Sequence, residues 1–421
     1  MTTAFEKINE YVQSLEIIDT HEHLPYREDQ RDRNTDVLKE YLQHYFSRDL
    51  MSAGLSAEDF QKVIDPKGPL MKRWETVEPY WDFARRTGYG RALDISVKVL
   101  YGIDGIRRST ISRLNDEFLK TLNGGQYSKV LKEKCRIRVS ILDSNLECDQ
   151  TYFRSTVNAD ALICPRTKND LLRASKETGI PITSFDDWLE VCAKALEGAF
   201  ARGAVCLKSA LAYSRSLYYE RPTRAAAEEA FNTFFAVFHY PDWETLGTTV
   251  GKPFQDFMMH FVLHEANRKK WTFQFHTGLQ EGCGNYISNS DPTLLSNLFL
   301  EYPNVQFDVF HIGYPYQQVL SALAKTFPNV FIDMCWAHII SPTACIRALC
   351  EWIDSVPFNK ISAFGGDYCF IDGVAGHQHL ARLNVSISLA RKVEEGVCDI
   401  DGARQIAKAV FYDNPVRIFR L

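Results

Sequence analysis

No stretch of this chain approaches the roughly 18–20 consecutive apolar residues of a membrane helix. No cysteines stand in the C-x-x-C spacing of a zinc knuckle or a dithiol. Nor is there a basic tract long enough to track a phosphate backbone, since 48 Lys and Arg face 53 Asp and Glu for a formal charge of -5. Membrane-spanning, dithiol and nucleic-acid roles are therefore not expected. The opening residues MTTAFEKINEYVQSLEIIDT carry Glu6, Lys7, Glu10 and Glu16 where a secretory leader needs an apolar core. The 11 cysteines, an odd number spread from Cys135 to Cys398, also fit a reducing compartment, so a cytoplasmic protein is expected. There is no internal repeat, low-complexity tract or Gly/Ser linker. What is present is 421 residues, 45% of them hydrophobic and 24% charged, enough to bury a large core.

Short apolar runs recur, each followed by a longer segment of helical pattern: LEIIDT (15–20), IRVSIL (137–142), ALIC (161–164), AVCLK (204–208), WTFQFH (271–276), VQFDVF (305–310), NVFIDM (329–334) and ISAFGG (361–366). Alternating strand and helix implies parallel crossovers, and near-continuous apolar strands imply a sheet covered on both faces. Eight such units predict an α/β fold, a (β/α)8 TIM barrel, as a single domain over 1–421; a doubly wound open sheet is the alternative. Two intervals exceed one helix and a turn. They predict helical insertions at 24–134, after the first strand, and 209–270, after the fourth, both folded over the C-terminal mouth.

Asp19-Thr20-His21-Glu22-His23 closes the first strand. Residues i and i+2 of an extended backbone share a side, so His21 and His23 can converge on one cation, and imidazole suits zinc, iron, cobalt or nickel. Lys208 ends the fourth strand, His276 the fifth; His311 opens the loop after the sixth, and Asp367 follows the eighth. Read singly, each has a bland role: a surface lysine, hydrogen-bonded core histidines, a helix cap. Strand ends of a barrel meet at one mouth, however, and five strands bring these ligand-type residues to one place. Tyr213 and Arg215 follow Lys208, Tyr314 and Tyr316 follow His311, and Trp336 and His338 follow the seventh strand. Arg215 is the candidate anchor for a substrate carboxylate, because its planar fork matches that group; a surface salt bridge is the alternative. Trp74, Trp81, Tyr89 and Arg91 in the first insertion fit a lid or a core. His377 and His379 read as helical and solvent-facing, with an approach of His377 to the mouth as the alternative, and Cys283 in EGCGN, near the site, has no adjacent base that would make it a nucleophile.

This combination of DTHEH, Lys208, His276, His311 and Asp367 resembles the amidohydrolase superfamily of metal-dependent barrel hydrolases over nearly the whole chain. CLKSALAYSR, HIGYPY, FGGDY and the closing DNPVRIFRL are most similar to its amidohydrolase-2 and uronate-isomerase-like branch. The resemblance implies His21, His23 and Asp367 on one metal, His276 and His311 on a second, and Lys208 bridging both. A protonated lysine has no lone pair for a cation, whereas its carbamate offers two oxygens and one negative charge; an unmodified Lys208 that hydrogen-bonds a substrate oxygen in a one-metal enzyme is the alternative. Two dications less the charges of carbamate, Asp367 and a bridging hydroxide leave about one net positive charge, which a buried site can hold.

The implied cofactors are two divalent metal ions, zinc ahead of iron or manganese. The expected enzyme is a hydrolase in which metal-activated hydroxide attacks a polarised carbonyl and Asp367 accepts the proton. Its substrate would be a small amide, ester or lactone, carboxylate-bearing if Arg215 is its anchor, with Tyr213, Tyr314 and Trp336 lining the pocket. A uronate-isomerase-like enzyme is the first alternative, but it is expected to bind one metal and does not require Lys208. A non-haem di-iron oxygenase on the same barrel is the second, and a binding protein with a vestigial site a third. Homo-oligomerisation stays open.

Overall fold

The computed structural model describes residues 3–236, 247–282 and 284–421. Thr3 caps the first helix, Ala4–Ser14, in a capping box with Glu6, and Leu15 ends it in an extended conformation that feeds directly into the first strand. The strands are β1 (Ile17–Glu22), β2 (Ile137–Leu142), β3 (Phe153–Asn158), β4 (Cys206–Ser209), β5 (Thr272–Phe275), β6 (Gln306–Val309), β7 (Val330–Asp333) and β8 (Ile361–Ser362). They form one 8-stranded sheet in sequential order, every adjacent pair parallel. The seam between β8 and β1 is closed by residues just beyond β8. Thr20 N–H donates to Phe364 O (3.0 Å), Asp367 N–H to His21 O (2.8 Å) and His23 N–H to Tyr368 O (3.1 Å). This is the (β/α)8 barrel that the strand–helix alternation predicts.

The third strand is not where the apolar pattern puts it. ALIC lies largely in the short helix Asp160–Ile163, and β3 is FRSTVN, which lacks an apolar run because its buried Ser155 and Thr156 serve hydrogen bonds. Four apolar residues in a row do not tell strand from helix, and a barrel strand with polar side chains inside escapes that pattern altogether. β1 also runs two residues further than LEIIDT, so His21 lies within the strand and His23 just past it.

In register, Asn158 stands beside Lys208, Lys208 beside Gln274, and Gln274 beside Asp308. Neighbouring residues of a parallel ladder point the same way, so these side chains share the barrel's inner face. The segment from 24 to 134 folds into helices, among them Tyr45–Ser52, Leu70–Ala84 and Gly88–Tyr101. Trp74 and Trp81 are core residues of that layer, not lid residues. The segment 209–270 contains Arg224–Ala236 and Gly247–Lys269 on either side of residues outside the description. The long helix Ile371–Glu394 packs so closely on Gly88–Tyr101 that a Cβ on Gly376 would lie 1.8 Å from Ala92 O. His377 on it is buried, not solvent-facing, and its Nδ1 meets Gly366 O at 3.0 Å, whereas His379 is exposed. Among the described residues no helix is long and apolar enough to cross a membrane.

Candidate metal centre

Alternation along the end of β1 places the two histidines of DTHEH on one side. His21 Nε2 and His23 Nε2 lie 3.9 and 3.1 Å from the same Asp367 oxygen, Oδ1. Asp367 is brought there by FGGDY: a Cβ on Gly366 would lie 1.7 Å from Glu22 Oε1, so any larger residue would have to push the buried Glu22 carboxyl aside, and Asp367 itself adopts a left-handed φ of 56°. Its other oxygen, Oδ2, is 3.9 Å from His311 Nε2. His276 Nδ1 completes the group at 2.9 Å from His311 Nε2.

Three of the four imidazoles are held neutral, whereas at His23 burial is outweighed by the hydrogen bond and charge of Asp367 and by Asp143, which raise it above its ordinary value. Burial and the Lys208 charge hold His21 well below the usual imidazole range. Burial, His311 and Lys208 do the same for His276, and burial brings His311 down to about 4. Burial pushes Asp367 up, but the hydrogen bond from His23 and the surrounding histidines outweigh it and leave the carboxyl well below its ordinary value.

The donor set fits metal ions on two observations. His21 is fully buried, yet neither of its ring nitrogens has a hydrogen-bond partner among the described residues, an arrangement that is costly unless something else binds there. His276 Nε2 faces Leu279 O (2.9 Å) and His311 Nδ1 faces Cys335 O (3.0 Å). Carbonyl oxygens only accept, so those nitrogens carry the protons and the remaining lone pairs, His276 Nδ1 and His311 Nε2, point at each other. A shared cation resolves that opposition.

Lys208 lies beneath, 5% exposed, with Nζ 3.8 Å from the centre of the Phe310 ring. No carboxylate of the described residues forms an ion pair with it. His23, Lys208, His276 and Asp367 line a cavity of about 400 Å³ together with Tyr213, Glu281, Asp143, His44 and Tyr45. Tyr213 packs on His276 with ring centres 4.6 Å apart, and its Oη accepts the Glu281 N–H at 3.0 Å.

Three residues expected to bind substrate do other work. Arg215 is buried, its Nη2 2.5 Å from Asp256 Oδ1 and 3.1 Å from Tyr218 O, its Nη1 3.0 Å from Gln255 Oε1 and its Nε 3.1 Å from Ser216 O. It borders a separate cavity of about 770 Å³ beyond Tyr213, and the fork that matches a substrate carboxylate is committed to Asp256. Trp336 is buried behind the centre, stacked on Tyr45 (4.5 Å) and edge-on to His311 (5.1 Å), so it braces a histidine instead of facing the cavity. Tyr314, half-buried, accepts the Leu279 N–H through its carbonyl at 2.7 Å and does not line the cavity. His338 is a buried structural histidine on Ala363 O (2.8 Å), and Cys283 lies outside the described residues.

Three residues of the cavity escape the sequence reading. Asp143, the first residue after β2, places Oδ2 3.6 Å from His23 Nδ1; the rule that strand ends carry the chemistry, applied to ILDSN, would have found it. His44 and Tyr45 come from the first insertion, where no periodicity marks them. His44 sits at the helix start with φ 61° and a buried Nδ1 that has no partner among the described residues, and Tyr45 Oη donates to Asp367 O at 2.7 Å.

The family model described as Amidohydrolase matches residues 158–421, well over half of the chain. The chain belongs to the amidohydrolase family. This amidohydrolase is similar along its whole length to uronate isomerase of Thermotoga maritima, at 16% identity and a TM-score of 0.81 covering 99% of this chain and 97% of that one. Glucuronate isomerase of Caulobacter crescentus gives 17% identity and a TM-score of 0.79 over 99% and 94%. A protein of Lactobacillus casei described as a candidate metal-dependent hydrolase gives 16% and 0.69 over 98% and 97%. At such identities the likeness is one of fold. In sequence, 176 residues are 27% identical to Protein fluG of Emericella nidulans, 40% of this chain but only 20% of that relative's length.

Proposed function

We propose that this amidohydrolase is a metal-dependent hydrolase that cleaves an amide, ester or lactone bond of a small molecule. His21, His23 and Asp367 would hold one divalent ion, His276 and His311 a second, and Lys208, as its carbamate, would join them. The observation that carries the reading is Lys208: a nearly buried ammonium against an aromatic ring, with no carboxylate partner among the described residues. An unpaired buried charge is costly, and carboxylation turns it into an anion that two cations would neutralise. When bound, such ions polarise a carbonyl and lower the pKa of water toward about 7. Asp367, kept ionised by its histidines, takes up the proton at a carboxylate oxygen and returns it to the leaving group. Tyr213 shields the His276 side from solvent. Because the Arg215 guanidinium is engaged by Asp256, the proposal does not rely on it as an anchor or on a substrate carboxylate.

One observation favours a second reading, a uronate-isomerase-like enzyme. Moving a proton between carbons takes a second acid–base group besides Asp367, and the cavity-facing His44, with its open Nδ1, is such a group. The two readings separate in zinc-loaded protein held without oxygen in ¹⁸O-labelled water and offered amides, esters, lactones and uronic acids. Hydrolysis with the label in the product acid supports the hydrolase. Interconversion of a uronic acid without cleavage replaces it with the isomerase, and activity that needs iron and dioxygen overturns both.

A further inference from the structure

The β2–β3 junction is built around one carboxylate. Asp143 Oδ1 accepts from Ser144 Oγ (2.7 Å) and Thr156 Oγ1 (3.1 Å), and Thr156 Oγ1 in turn accepts the Ser144 N–H (3.0 Å). The Asp143 N–H donates to Glu22 O at 2.9 Å, tying the residue to the end of β1. Ser144 takes a left-handed φ of 57°, a conformation that residues with a side chain avoid unless the surroundings enforce it. Two of these bonds end on Oδ1, and no hydrogen bond from the described residues ends on Oδ2. That oxygen points at His23 Nδ1, 3.6 Å away.

We propose that Asp143 is a positioning residue for His23: its Oδ2 takes the Nδ1–H and leaves Nε2 as the lone pair turned toward Asp367 and the metal. The inference rests on the metal-centre reading above. The two nitrogens of an imidazole point to opposite sides of the ring. On one side His23 Nε2 and His21 Nε2 address the same Asp367 oxygen, and on the other stands Asp143. His21, His23 and Asp143 also offer ligand atoms within 4.8 Å of one another, so direct ligation by Asp143 is the competing arrangement, one that takes His23 through Nδ1 and turns its Nε2 and Asp367 away from that ion. The 3.6 Å separation is a few tenths of an ångström beyond a hydrogen bond. The His23 side chain, 40% exposed, has room for the tilt that closes it. A carboxylate on the far nitrogen of a ligating histidine fixes its tautomer and raises its basicity, and losing such a partner weakens metal binding by about 10–100-fold.

The test is chelator competition for zinc on the full chain, with wild type, Asp143→Ala and Asp143→Asn, accompanied by zinc X-ray absorption and melting of the metal-free proteins. The expected result is about 10–100-fold weaker zinc binding for Asp143→Ala. Asp143→Asn, which keeps an acceptor for Nδ1–H, should fall in between. The number of oxygen and nitrogen ligands on zinc should be the same in all three. An unchanged affinity in both variants overturns the inference, and so does an absorption spectrum that loses one oxygen ligand on mutation, which would make Asp143 a ligand. If Asp143→Ala melts too low to measure, Asp143→Asn decides by the same criteria. Wild-type protein that takes up no zinc overturns the metal-centre reading and this inference with it, whereas tight wild-type binding with unaltered variants overturns the inference alone.

Discussion

Replacing Arg215 by alanine is expected to weaken the fold and leave substrate affinity nearly unchanged. The Arg215 and Asp256 side chains are 3% and 1% exposed and meet at 2.5 Å. Truncation strips the Tyr219 ring of a guanidinium 4.4 Å from its centre and leaves the Asp256 carboxylate, among the described residues, with Lys252 and the Glu220 N–H as partners. Removing one member of a buried ion pair costs about 3–5 kcal/mol, and because Lys252 remains, the lower end, about 3 kcal/mol, applies. With an unfolding entropy of about 2.1 cal/mol/K per residue, a chain of 421 residues loses about 3 °C in Tm for that change. Calorimetry and urea unfolding would measure the loss. In a double-mutant cycle, Arg215→Met with Asp256→Leu should recover much of it, since neither charge is then buried alone. An unaltered Tm together with a tenfold rise in KM would refute this reasoning and return Arg215 to the substrate.

Asp367→Asn should keep much of the metal but lower turnover by about 100-fold or more if its carboxylate is the proton acceptor; near-normal turnover in metal-loaded protein would exclude that role. Lys208→Ala should lose metal and activity together, with short carboxylic acids restoring part of both; electron density ending at Nζ in a fully metallated crystal would count against the carbamate. His338 offers a pH test away from the centre. Burial lowers it from 6.5 to about 4, so on acidification the unfolded chain takes up the proton first and the stability present above pH 6.5 drains away as pH falls through 4. The stability of wild type relative to His338→Gln should therefore decline by about 3 kcal/mol across that window, and a difference independent of pH would show that His338 is not buried neutral.

Local pattern alone determined the (β/α)8 alternation and the places of His21, His23, Lys208, His276, His311 and Asp367. Parallel strands must be apolar enough to be covered on both faces, and their C-terminal ends must meet, so residues at those ends converge whatever the loops do. The rest depended on contacts between distant segments. β3 stayed hidden because its buried serine and threonine hydroxyls are satisfied by groups that sequence does not place beside them. Arg215 read as a substrate anchor until Asp256, on a helix of the second insertion, turned out to occupy its fork; nothing in the spacing of two charges 41 positions apart says that they pair. His44 and Tyr45 enter the cavity only because the insertion after β1 packs against the β8 loop, where Tyr45 meets the Asp367 carbonyl. The direction of His23 Nδ1 toward Asp143 is likewise a product of the β1–β2 pairing. Burial periodicity is written into each segment, whereas the partner that satisfies a buried charge or an imidazole nitrogen comes from elsewhere in the chain, and only the packed structure decides which one it is.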